Sequence, residues 1–229
     1  FRTFIHSAIV SYLKKWETYK MKPIPVLEDG TKVMYVIQRD GSKLEEEIKL
    51  PMQDIPAMLS KIRAIAKYVR TEYLRDVIYG TGGEKKKIRL RIQDNFEFRL
   101  VDVTYKYRVA VEDGIKKEIE ETLYKGNSCE DALKIISSQG DFVEENSYEK
   151  IRVVFSGPHD TEITLDIYPY GAWVEIEGES SKIHDIAKKL GFAQKDYIDT
   201  GADDLYLAWI KKHNLPEMWD VRFGLGGKK

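Results

Sequence analysis

From Leu44 onward, apolar and charged residues alternate through most of the extended segments. In Leu44-Glu-Glu-Glu-Ile-Lys-Leu50, the residues Glu45, Glu47 and Lys49 recur at every second position. Alternate side chains of a strand share one face, so these three point the same way and Ile48 and Leu50 point the other. The pattern returns down the chain. In 87–92, Arg89 and Arg91 oppose Ile88, Leu90 and Ile92; in 97–109, Asp102, Thr104, Lys106 and Arg108 oppose Val101, Val103, Tyr105, Tyr107 and Val109. Glu118 and Glu120 oppose Ile115 and Ile119; Lys150 and Arg152 oppose Ile151, Val153 and Phe155. Thr164 and Asp166 oppose Ile163, Leu165 and Ile167, and Glu175 with Glu177 oppose Val174 and Ile176. A further strand is expected at 72–79.

Helical spacing punctuates these strands. Asp54 is placed to cap a helix running to about Tyr68, with Pro56 in its first turn. Ser128 and Asp131 open another, closed by Gly140; a third spans 181–190 and stops at Gly191. A last helix is expected over 202–213. Residues 1–20 read as an amphipathic helix and 31–38 as a strand. The chain therefore divides into an appendage (1–40), a main domain (41–215) and a tail (216–229). The appendage is free to pack on the main domain or to pair with a second copy, so a homodimer is compatible with the pattern.

Two arrangements satisfy the alternation. One is an exposed ionic sheet face laced with cross-strand salt bridges. The other is a sheet curled around a wet, ionic interior. Helices can cover only one side of the sheet, and the remaining side would be a very large charged surface, which favours curling. Burying such groups unpaired would be prohibitive, whereas a water-filled tunnel avoids most of that cost.

Composition narrows the chemistry. The chain has 229 residues, 33% of them charged, with a net charge of -1. That balance gives no electrostatic reason to expect nonspecific nucleic-acid binding. The single cysteine, Cys129, rules out an internal disulfide and a cysteine-based zinc site; a reducing, cytoplasmic setting fits this. No apolar run reaches the ~20 residues of a bilayer span, so no membrane partner is expected. His6, His159, His184 and His213 share no ligand spacing, and Gly80-Thr-Gly-Gly83 lacks the Walker pattern. What remains is the charged face. Clustered Arg and Lys suit a polyanion, and clustered carboxylates suit hard divalent cations. Both in one cavity is a layout for phosphoryl or nucleotidyl transfer.

The ordered motifs resemble a known family. Glu45-x-Glu47-x-Lys49 is similar to the ExExK signature of CYTH domains, in the triphosphate tunnel metalloenzyme superfamily. Ile88-Arg-Leu-Arg91, Val103-Thr-Tyr-Lys106, Glu118-x-Glu120, Lys150-x-Arg152, Leu165-Asp166 and Gly171-Ala-Trp-Val-Glu-Ile-Glu177 resemble its later strands in the same order. Trp173 stands where phenylalanine is commoner, and the 1–40 extension is atypical. The resemblance covers about 43–212. It implies an α+β fold with an eight-stranded antiparallel β-barrel forming a charged tunnel, flanked by helices. It also implies a triphosphate substrate with Mg²⁺ or Mn²⁺; nucleic acid is not expected, save a 5′-triphosphate RNA end. On that basis Glu45, Glu47, Glu175 and Glu177, then Glu118, Glu120 and Asp166, are the expected metal ligands. Arg89, Arg91, Lys106, Arg108, Lys150 and Arg152 are expected to hold phosphates. Lys49 and Glu47 are the expected catalytic pair, with Lys49 orienting water or neutralising charge. The leading activity is a triphosphatase acting on inorganic, nucleoside or thiamine triphosphate. An adenylyl cyclase and a noncatalytic polyphosphate- or nucleotide-binding module are the alternatives.

Overall fold

The computed structural model describes residues 43–81, 86–94 and 99–224. The chain divides into two units, 1–34 and 35–229, and all described residues lie in the second. The expected helix at 1–20 and strand at 31–38 lie outside the described residues, as does most of the Gly80–Gly83 loop.

Eight long strands form the frame: β1 (Lys43–Pro51), β2 (Lys67–Gly80), β3 (Lys86–Asp94), β4 (Arg99–Glu112), β5 (Ile115–Gly126), β6 (Val143–Ser156), β7 (Glu162–Tyr168) and β8 (Gly171–Glu177). They pair antiparallel in the order β2-β3-β4-β5-β1-β8-β7-β6, and β6 pairs back onto β2 along almost its whole length. That last pairing closes the sheet into a barrel with no long free edge. A two-residue strand, β9 (Asp220–Val221), adds to β6 in parallel at Ser147 and Tyr148. The strands predicted from alternation are all present, and β2 and β6 begin about five residues earlier than the pattern indicates.

The barrel carries its apolar side outward. Ile48 and Leu50 of β1, Phe155 of β6, Ile163 and Leu165 of β7, and Val174 and Ile176 of β8 are all buried on the outer surface. Two helices cover them: α1 (Ile55–Ile65) through Met58 and Ile62, and α3 (Ser180–Leu190) through Ile183, Ile186 and Leu190. A separate cluster, with Val77, Ile88, Leu90, Val101 and Val103, is covered by Ala132 and Ile136 of α2 (Cys129–Ser138). Each such large side chain contributes about 1.5–3 kcal/mol when fully buried, so the folding drive sits outside the barrel wall. Local signals place the covering helices. Asp54 Oδ1 accepts from Ala57 N at 3.1 Å and Ser128 Oγ from Asp131 N at 3.1 Å, satisfying first-turn amides. Gly191 ends α3 in the left-handed region at φ 96°, a geometry that glycine adopts without a Cβ penalty.

The fourth helix, α4 (Ala202–His213), lies at one end of the barrel. Tyr206 and Ile210 pack there with Tyr168, Tyr170 and Val221. That end also carries the β4–β5 hairpin. The preceding segment is pinned to it: Ile198 N donates to the Lys49 carbonyl at 2.8 Å, and Arg108 Nη2 to the Asp199 carbonyl at 3.0 Å. Among the described residues, no helix is long and apolar enough to cross a membrane.

Candidate active site

With the apolar faces turned outward, the charged faces converge. They line a cavity of about 710 Å³ inside the barrel. Glu45, Glu47, Lys49, Arg89, Arg91, Lys106, Arg108, Glu118, Glu120, Lys150, Arg152, Glu175 and Glu177 all reach its wall. The exception among the expected site residues is Asp166. It is fully buried and is absent from the cavity lining.

The reason is register. Arg152 and Asp166 are direct cross-strand partners on β6 and β7. Arg152 Nε and Nη2 donate to the two Asp166 oxygens at 2.7 and 2.6 Å, and Lys150 Nζ adds a third bond at 2.6 Å. Both carboxylate oxygens are thus taken by bases on the next strand. Arg91 has a matching support: its Nε and Nη2 each donate to Asp76 of β2 at 2.7 Å. Burial alone would raise the Asp76 carboxyl, yet Arg91 holds it well below the usual carboxylate range.

Around the rest of the wall, acid and base interleave. Lys49 lies 3.1 Å from Glu175, and Arg152 reaches the other Glu175 oxygen at 2.5 Å. Burial opposes ionisation of Glu175, but Lys49, Arg152 and Lys150 outweigh it and hold its pKa far below the ordinary value. Lys116 of β5 bridges Glu47 and Glu118, the latter at 3.0 Å. Burial and Glu175 push the Glu47 carboxyl up; Lys116, Lys49 and Lys106 win and keep it lowered. Lys106 sits between Glu45, at 3.6 Å, and Glu120. Arg89 reaches Glu120 at 3.7 Å and Thr104 Oγ1 at 3.4 Å. Burial, then the like charge of Arg89, brings the Lys106 ammonium down to about 8. Burial and Arg152 bring Lys150 to about 8 as well.

Several wall acids face each other. Glu45 opposes Glu118 across β1 and β5, Glu47 opposes Glu177 across β1 and β8, and Glu162 opposes Glu177 across β7 and β8. Directly opposed like charges destabilise a sheet. Lysines relieve this tension here: Lys116 between Glu47 and Glu118, and Lys43 between Glu177 at 2.6 Å and Glu45 at 3.6 Å. Among the described residues, no three Asp, Glu, His or Cys side chains are gathered closely enough to form a metal cage. The donor set is nonetheless all carboxylate oxygen on adjacent strands, the chemistry that suits Mg²⁺ or Mn²⁺.

Four features escape the sequence pattern. Lys116 shares a face with Glu118 two residues on, a spacing that could have revealed it. Asp76 and Glu72 sit on β2, where Leu74 and Ile78 interrupt the charge alternation. Glu162 lies at the very start of β7. Val111 is re-aimed by a bulge: the β4–β5 register shifts between Arg108 and Ala110, so Val111 pairs with Lys116 and lines the cavity. Such a bulge turns the following side chains to the opposite face. With Ile78 and Ala202, Val111 gives the α4 end an apolar collar on a wall otherwise rich in charged groups.

No protein-family model and no curated protein sequence matches the chain. Solved structures do. A hypothetical protein of Pyrococcus furiosus superposes with a TM-score of 0.57 at 23% identity, over 70% of this chain and 99% of its own. A protein of Pyrococcus horikoshii gives 0.58 at 22% identity, over 72% and 98%. A Vibrio parahaemolyticus protein described as a "putative adenylate cyclase" gives 0.56 at 16% identity, over 72% and 98%. These structures share the fold of this chain, a closed eight-stranded antiparallel barrel flanked by helices. The motifs that resemble those of CYTH domains fall on β1, β3, β4, β5, β6, β7 and β8, and the charged positions within them point inward, Asp166 alone being sealed off from the cavity.

Proposed function

We propose that the tunnel hydrolyses a triphosphate-bearing compound, with Mg²⁺ or Mn²⁺ as cofactor. The observation that carries this reading is the shared wall: Arg89, Arg91, Lys106, Lys150 and Arg152 face the same cavity as Glu45, Glu47, Glu118, Glu120, Glu175 and Glu177. A binding module for polyanions has no need of so many carboxylates. Arginine forks grip phosphate oxygens in two places, and two of these forks are already braced, Arg91 by Asp76 and Arg152 by Asp166. Cationic groups fixed before substrate arrives need little reorganisation as charge develops. A bound divalent cation, held by the wall glutamates, would offset charge on the terminal phosphoryl oxygens. Lys49, steadied by Glu175, is placed to neutralise charge or to orient water. Asp166 acts as the anchor of the Lys150 and Arg152 clamp.

A second reading, cyclisation of ATP to cyclic AMP and pyrophosphate, has one observation in its favour. The cavity of about 710 Å³ falls in the range that takes an organic ligand, and the Val111, Ile78 and Ala202 collar offers an apolar surface for a base. The same clamp serves both reactions; only the attacking oxygen differs. The deciding experiment incubates the protein with Mg²⁺ or Mn²⁺ and tripolyphosphate, ATP or thiamine triphosphate. Orthophosphate release that requires the added cation is expected. Cyclic AMP with pyrophosphate would establish the cyclase instead, and binding without turnover would overturn both.

A further inference from the structure

Glu45, Glu47, Glu118, Glu120, Glu175 and Glu177 each have a Lys or Arg nitrogen within 4.0 Å. Glu162 of β7 differs. It reaches the same cavity, yet no ion pair or hydrogen bond joins its side chain to any described residue. Around it are Glu177 on β8, Arg152 on β6, and Arg70 and Glu72 on β2; Arg70 and Arg152 are committed to Glu72 and to Asp166 and Glu175. Two residues along β7, the Thr164 side chain also lines the cavity. It is 4% exposed and its hydroxyl has no hydrogen-bond partner. A buried hydroxyl left unsatisfied costs about 1–3 kcal/mol, so the pair offers two polar groups, one of them a strong acceptor, to the cavity.

We infer that Glu162 accepts the proton of the water that attacks the triphosphate, with Thr164 holding that water, a role that rests on the triphosphatase reading above. As the water oxygen bonds to the terminal phosphorus, the bridging P–O bond breaks and its electron pair leaves with the diphosphate. One water proton passes to the Glu162 carboxylate, and the other hydrogen is held by Thr164 Oγ1. The other wall glutamates are weaker candidates because each is already engaged by a Lys or Arg nitrogen.

The test compares wild type with Glu162→Gln and Glu162→Ala in tripolyphosphate hydrolysis with Mg²⁺. Loss of a positioned base costs about 10²–10⁴-fold in kcat, and KM should stay within about twofold. Added formate should restore about tenfold activity to Glu162→Ala and leave wild type unchanged, a rescue that a structural role would not give. The melting temperature of Glu162→Gln should match or exceed wild type, since the change removes a like charge opposite Glu177. A Glu162→Gln enzyme within about threefold of wild-type kcat, or a Glu162→Ala enzyme indifferent to formate, overturns the assignment alone. A wild type that binds tripolyphosphate without turning it over overturns the triphosphatase reading and this role with it.

Discussion

Replacing Asp166 by asparagine separates an anchor from a ligand. The carboxylate is fully buried and accepts from Lys150 Nζ at 2.6 Å and from Arg152 at 2.7 and 2.6 Å. Asparagine keeps the shape but removes the charge and turns one acceptor into a donor that faces a cation. Removing one partner of a buried ion pair costs about 3–5 kcal/mol, a large share of a typical total of about 5–15 kcal/mol. With a urea m-value of about 2 kcal/mol/M, the midpoint should fall by about 1.5–2.5 M. The freed Lys150 and Arg152 remain on the cavity wall, so tripolyphosphate should stabilise the variant more than wild type. Urea melts with and without 1–10 mM tripolyphosphate, in the absence of metal, measure both effects. A midpoint shift below about 0.5 M, together with loss of metal-dependent turnover, would refute the anchor and return Asp166 to the metal ligands.

Three other expectations follow from the geometry. Lys116→Met leaves Glu47 and Glu118 without their shared cation, so the variant should lose about 3 kcal/mol and gain more in melting temperature from Mg²⁺ than wild type does; an equal Mg²⁺ response would remove those glutamates from the metal set. Lys150 has its pKa lowered from 10.5 to about 8. Its charge is therefore lost as pH rises through 8, and calorimetry should show tripolyphosphate affinity falling above that pH. Between 8 and 10.5 the unfolded chain keeps this proton and the folded chain does not, so the lysine makes stability rise with pH there, opposite in sign to the affinity. Gly191→Ala places a Cβ at φ 96°, where the close neighbour among the described residues is the flexible end of Lys61 at 3.2 Å; the strain should cost about 1 kcal/mol, lowering the melting temperature by about 2–4 °C with turnover unchanged.

The alternation in the chain was enough to find most of the wall because a strand's two-residue period is local. Glu45, Glu47 and Lys49 must share a face whatever their partners. What alternation cannot carry is which strand lies beside which. Asp166 and Glu175 look equivalent in sequence, each an acid between apolar neighbours. Only the pairing of β6 with β7, which sets Arg152 opposite Asp166, seals one of them and leaves the other on the cavity. Asp76 was hidden because Leu74 and Ile78 share its face, so β2 reads as an ordinary buried strand until β3 brings Arg91 opposite. Val111 shows the reverse failure. Strict alternation from Val101 would turn it outward, and the bulge at Val109 turns it in. Asp220–Val221 is too short for any period to register, although Val221 completes the aromatic cluster at the α4 end.

Turning the barrel inside out has an energetic consequence that links fold to chemistry. The stabilising apolar area lies between the strands' outer faces and α1, α2 and α3, where Ile48, Phe155 and Ile186 pack in one apolar cluster. The inner faces are then released from the need to be apolar, and they can carry opposed glutamates such as Glu47 and Glu177 at a net electrostatic cost. That cost is the reserve on which binding draws. A ligand that brings negative phosphate to the arginines and positive charge to the glutamates replaces strained internal pairing with complementary pairing, and ligands that bind only the folded state stabilise it. Wall substitutions should therefore alter ligand response more than cooperativity, whereas trimming Phe155 or Ile186 should lower stability by about 3–5 kcal/mol or 2–5 kcal/mol and leave the affinity of the surviving folded fraction intact.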